Sequence, residues 1–180
     1  MAPMLTFGEL QKKPARVSEL GPGPVLVAAS GTEEVVVQKE QHTPEATITF
    51  MHETIEMMKA DRAEQLDKLR QQFRSGSKVV AIQKKPESFW DYVTVGRAAS
   101  ADIVIDDPAT SNMHAQFTLN VTETAASIQD VGSSNGTFVN RQRIHPHVVT
   151  ELSSGDCIRF GQAIFYYVEN DTLREMLEQG

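Results

Sequence analysis

The chain has 180 residues, 40% of them hydrophobic, with a formal charge of −7 and a single cysteine. That length holds one domain of ordinary size, or a small domain plus an extension, with a real core. The acidic balance argues against a surface that condenses on nucleic acid or anionic lipid, which needs a basic patch, and one cysteine excludes an intramolecular disulfide or a multi-cysteine metal site.

Residues 1–23 lack a cationic start followed by an apolar run, and no stretch is apolar for long enough to span a bilayer, so a cytoplasmic location is expected. Gly21-Pro22-Gly23-Pro24 breaks helix and strand alike and reads as a turn; what precedes it carries no readable pattern. Val25-Leu26-Val27-Ala28-Ala29 and Val35-Val36-Val37, separated by Ser30-Gly31-Thr32, suggest a β-hairpin. At Thr43-Pro44-Glu45 an N-cap, a proline suited to the first helical position and an acidic first turn predict a helix that runs to Arg74. Its stripe of Ile48, Met51, Ile55, Met58, Leu66, Leu69 and Phe73 falls at steps of three or four and is interrupted at Arg62. Such a stripe packs on the chain's own body or forms a self-associating coiled coil. Arg62 favours the first, because a parallel seam would set two like charges together.

Ser75-Gly76-Ser77 ends the helix and reads as a linker. Beyond it come short alternating runs cut by turn residues: Val79 to Ile82, Tyr92 to Val95, Ile103 to Ile105, Ala115 to Leu119, Ala126 to Ile128, Thr137 to Val139, Cys157 to Phe160 and Ala163 to Val168. This texture predicts a β-sandwich. A capping signal and an apolar i, i+3, i+4 set from Asn170 to Leu177 predict a short terminal helix. The expected fold is mainly β, with an extension over 1–75 (hairpin plus long amphipathic helix), a sandwich over 76–169 and a C-terminal helix over 170–180.

Three inter-strand loops of that sandwich carry the functional signal: Gly96-Arg97, Ser111-Asn112-Met113-His114 and Ser133-Ser134-Asn135-Gly136-Thr137. Taken singly they read as a turn with a solvated arginine, a polar loop with a core histidine and a tight hairpin. Together they supply a guanidinium, two hydroxyls and two side-chain amides. A dianionic phosphate monoester is well held by an arginine fork plus neutral donors, which an acidic protein can offer.

Gly96-Arg97, Ser111-x-x-His114 and Asp130-Val131-Gly132-Ser133-Ser134-Asn135-Gly136-Thr137-Phe138-Val139-Asn140, in that order, resemble the forkhead-associated (FHA) family over about residues 78 to 169. The resemblance implies an eleven-stranded β-sandwich whose loops at one end bind phosphothreonine peptides. It implies that Arg97 and Ser111 contact the phosphate, with Ser134 as a further donor, and that Asn135 and Asn112 hold the peptide backbone on either side. Gly96, His114, Gly136, Thr137 and Asn140 would be framework. The position of Asn112 often holds a basic residue in the family, so one long-range attraction to phosphate is missing here. The implied role is a phosphothreonine-dependent adaptor, with a Ser/Thr kinase or its substrate as partner and no nucleic acid or membrane.

Other features read as structural. Cys157 opens an apolar strand and is expected in the core, not as a nucleophile. His145-Pro146-His147 has no nearby carboxylate in sequence, and no metal or other cofactor is expected. No Walker loop, zinc-protease helix or nucleophile elbow is present, so the chain is not expected to be an enzyme. The alternative is an oligomerising scaffold whose phosphate site is unused. Thr32, before Glu33-Glu34, and Thr43 are candidates for phosphorylation that would turn the module on itself.

Overall fold

The computed structural model describes residues 5–29 and 63–178. In chain order the elements are strand β1 (Leu5–Thr6), helix α1 (Phe7–Lys12), a 3-10 helix (Pro14–Leu20), β2 (Val25–Ala28) and helix α2 (63–71). They continue with β3 (Lys78–Ala81), β4 (Val93–Gly96), β5 (Ile103–Val104), β6 (Ala115–Leu119), β7 (Ala126–Asp130) and β8 (Thr137–Val139). Last come β9 (Gln142–Arg143), β10 (Thr150–Glu151), β11 (Cys157–Phe160), β12 (Ala163–Val168) and helix α3 (Asn170–Glu178).

The strands form a seven-stranded sheet of order β1-β3-β2-β12-β11-β8-β9 and a five-stranded sheet of order β10-β7-β6-β4-β5. Every pairing is antiparallel except β4 with β5. Between the sheets lies one apolar core, in which Leu26, Ile158, Phe160 and Tyr167 meet Val93, Val95, Ala115, Phe117 and Ile128. The strands alternate, so their other residues face outward. On the larger sheet that outer face is covered too: Val25, Val27, Val79, Tyr166 and Val168 lie under residues of α1, the 3-10 helix, α2 and α3. The architecture is therefore three layers, helices on sheet on sheet.

This packing explains β2, whose Val25, Leu26 and Val27 are all fully buried. A strand covered on both faces reads as a continuous apolar run, not as an alternation. It also corrects the expected hairpin. Both edges of β2 are occupied, by β3 (Val27 opposite Val79) and by β12 (Val25 opposite Val168), so it does not pair with the run at 35–37. That run, the Ser30-Gly31-Thr32 turn, Thr43 and the helix predicted before residue 63 lie outside the described residues. The sheet also runs across residue 76, since β1 and β2 belong to it as fully as β3 does.

The described end of the long helix meets expectation: Leu66, Leu69 and Phe73 are buried on the chain's own body. Phe73 sits edge-on to both Phe7, at 5.1 Å between ring centroids, and Tyr166, at 5.6 Å. Residues 75–77 are not a loose linker. The Gly8 and Phe7 amides donate to the carbonyls of Ser75 and Ser77, and a Cβ on Gly8 would come within 2.7 Å of the Ser75 Cβ. Helix α1 itself begins with a capping box, in which the Glu9 amide donates to Thr6 Oγ1 and the Thr6 amide to Glu9 Oε2. All eight predicted runs of the sandwich are strands, and α3 follows where expected. β1, β9 and β10, each two residues long, have no counterpart in the sequence reading.

Candidate functional site

The three loops singled out by sequence converge at one end of the sandwich. Strand β4 ends at Gly96, where any side chain would strike the Asn112 backbone, with its carbonyl carbon 2.7 Å from the would-be Cβ. The loop after β4 and the loop before β6 are thereby zipped together: the Arg97 amide donates to the Ser111 carbonyl at 2.9 Å and the Ala98 amide to that of Asn112 at 3.2 Å. Arg97 is exposed, and its Nε donates to the Thr110 carbonyl at 3.2 Å. That one bond aims the guanidinium while leaving its terminal nitrogens for a ligand.

The third loop joins β7 to β8. The Ser134 amide donates to Ser111 Oγ at 3.0 Å, and the two serine hydroxyls are 3.5 Å apart. Asn135 Nδ2 donates to the Ala109 carbonyl at 2.7 Å. Arg97, Ser111, Ser134 and Asn135 thus form one connected polar rim. The Asn112 side chain is exposed beside it.

Two buried groups hold the loops in place. Burial pushes the His114 pKa below its ordinary value, outweighing the Gly136 carbonyl and the charges of Asp130 and Asp107. The ring is neutral: Nδ1 accepts from the Ser111 amide at 3.1 Å, so Nε2 carries the proton and faces the Gly136 carbonyl at 3.2 Å. One imidazole therefore ties the second loop to the third. Asp130 does the same within the third loop. Burial would raise its pKa, but the Ser133 and Thr137 hydroxyls and the Ser133 and Gly132 amides all donate to it and hold it at about 2. Asn140 lies past the other end of β8, with a positive φ of 50°, and bonds to Asp156 and the Cys157 amide.

Sequence reasoning missed two contributors. Asp107, read only as a turn residue, accepts from the Ala109, Gln162 and Ala163 amides and from the Thr110 hydroxyl, which fastens the second loop to the turn between β11 and β12. Its position in Asp106-Asp107-Pro108 gave no sign of that distant partner. Arg143 packs its guanidinium on Gly136, whose φ of 80° and missing Cβ make room for it. It stands on β9, a strand too short to read. Cys157 is half-buried, and the described residues contain no cluster able to hold a metal. No helix among them is long and apolar enough to cross a membrane.

A family model described as "FHA domain" matches residues 93–161. The chain is 29% identical over 143 residues to the glycogen accumulation regulator GarA of Mycobacterium tuberculosis, covering 70% of this chain and 83% of that protein. It is 34% identical over 94 residues to the oxoglutarate dehydrogenase inhibitor of Corynebacterium efficiens, covering 49% of this chain and 63% of the other. Among solved structures it resembles the FhaA FHA domain complexed with the intracellular domain of Rv3910, at 25% identity and a TM-score of 0.40 over 52% of this chain and 89% of that one.

Proposed function

Since residues 93–161 belong to the FHA family, we propose that the chain is a regulatory adaptor that docks a phosphothreonine-containing segment of a partner protein. The observation that carries this reading is the rim itself: an aimed guanidinium, two serine hydroxyls and an oriented asparagine, contributed by three loops and locked by buried His114 and Asp130. The phosphate sits against Arg97, with Ser111 and Ser134 as neutral donors. Charge-assisted bonds of this kind are worth about 1.5–3 kcal/mol each. Asn135, its Nδ2 anchored on Ala109, has its Oδ1 to accept from a peptide amide beside the phosphorylated residue.

The relatives named as a regulator and an inhibitor favour binding over catalysis. The scaffold alternative is weakened by Leu66, Leu69 and Phe73, which are engaged in the chain's own core and unavailable for an intermolecular seam. Calorimetric titration with a phosphothreonine peptide library and its unphosphorylated counterpart tests the proposal. Only the phosphorylated set should bind, and Arg97→Ala should weaken it at least about tenfold without lowering the unfolding temperature. Unchanged affinity in a folded Arg97→Ala protein would remove Arg97 from the site.

A further inference from the structure

Beside the rim lies a groove of about 320 Å³ whose lining includes Phe89, Trp90, Ala99, Ser100, Asp102 and Met113. It shares its walls with the phosphate site. Ala99 and Ser100 belong to the loop that presents Arg97, and Met113 directly follows Asn112. The opposite wall comes from the segment between β3 and β4, which is held against that loop by the Lys85 amide on Asp102 at 2.8 Å and by the Lys85 ammonium on the Ala99 and Ala101 carbonyls.

The polar groups of the groove are already engaged. Asp102 accepts from the Lys85 amide, from the Thr94 amide and hydroxyl, and from the Ser88 hydroxyl. What the groove offers a ligand is apolar: Phe89 is 98% exposed, Trp90 54% and Met113 44%. Trp90 is not loose, because it stacks on Tyr92 with ring centroids 5.4 Å apart and planes 13° from parallel. A pre-ordered tryptophan at a pocket wall is the kind of residue that dominates binding energy at interfaces. Glu87, also on the lining, disfavours an acidic side chain there.

We propose that this groove takes a large apolar side chain of the same partner segment, flanking the phosphothreonine on the Met113 side, and so sets which phosphorylated sequences the chain selects. The proposal rests on the phosphothreonine reading above. Its occupant follows from continuity: a peptide anchored between Arg97 and Ser111 leaves the rim along the wall that Met113 and Ala99 build. The volume suits one bulky side chain, and no charged group in it is left to recruit an ion.

The test uses the full chain and phosphothreonine peptides in which each flanking position in turn is alanine, leucine, phenylalanine, arginine or glutamate. Leucine or phenylalanine at one position should tighten binding about tenfold over alanine, since burying such a side chain is worth that much or more. Trp90→Ala and Met113→Ser should abolish this preference while leaving the all-alanine peptide bound as before. Trp90 is the single tryptophan of the chain, so its emission should shift to the blue with the leucine peptide and not with the alanine one. If phosphopeptides bind through Arg97 but leucine, alanine and arginine are equivalent, or arginine is best, the groove proposal alone is overturned. If phosphorylation makes no difference, the phosphothreonine reading fails and takes the groove with it.

Discussion

His114 accepts a proton only by giving up the bond from the Ser111 amide, because Nδ1 is the atom that would take it. Its pKa lies below the ordinary 6.5 because burial disfavours the charged ring. A group depressed in this way contributes fully to stability above the unfolded value and progressively less as the pH falls beneath it. The unfolding midpoint should therefore drop between about pH 7 and pH 5, and that drop should shrink in His114→Gln. Equal pH dependence in the two proteins would show that the imidazole does not link the loops energetically. Asp130 acts in a separate window: with a folded pKa of about 2 against 3.8, its contribution is present above 3.8 and is lost only as the pH falls towards 2. The sequence told unequally about these residues. Arg97, Ser111, Ser134 and Asn135 were identifiable from their order in three loops. The duties of Asp107, Asp130 and Arg143 were not, because each depends on a partner across the fold that local pattern does not encode.

Helix α2 depends on one aromatic contact more than on its length. Phe73, 7% exposed, joins Phe7 of α1 to Tyr166 of β12. Truncating a buried phenylalanine costs about 3–5 kcal/mol. Phe73→Ala should lower stability by that order in chemical denaturation while leaving phosphopeptide affinity in the folded fraction unchanged, since the helices and the rim lie on different parts of the sandwich. A loss below about 1 kcal/mol would mean that α2 is docked by other contacts. The Leu66, Leu69 and Phe73 stripe was readable because helical spacing is a local property. Helix α1 was also within reach, since Thr6-x-x-Glu9 is a capping-box signature, but it was passed over as patternless. β9 and β10 were out of reach in principle: two residues have no periodicity, and only their partner strands make them strands.

At the scale of the molecule, the FHA-family match at 93–161 covers less than the structure needs to stand. β2 lies between β3 and β12, with Val25, Leu26 and Val27 fully buried. A fragment spanning only 76–169, the boundaries suggested by sequence texture, leaves facing edges of β3 and β12 unpaired and their apolar residues uncovered. It should show no cooperative unfolding and should aggregate, whereas the full chain melts in one transition; a fragment as stable as the full chain would place β2 outside the folding unit. The same pairing bears on how the chain acquires its shape as it is made. Val25 must meet Val168, so one of the earliest strands to leave the ribosome finds its neighbour only when almost the last one has followed. Contacts so distant in sequence slow folding, because the entropy of closing the loop is lost before any burial compensates for it. Until then Val25-Leu26-Val27 is an unpaired apolar strand in water, and the nascent chain is a client for chaperones throughout synthesis of the module it will complete.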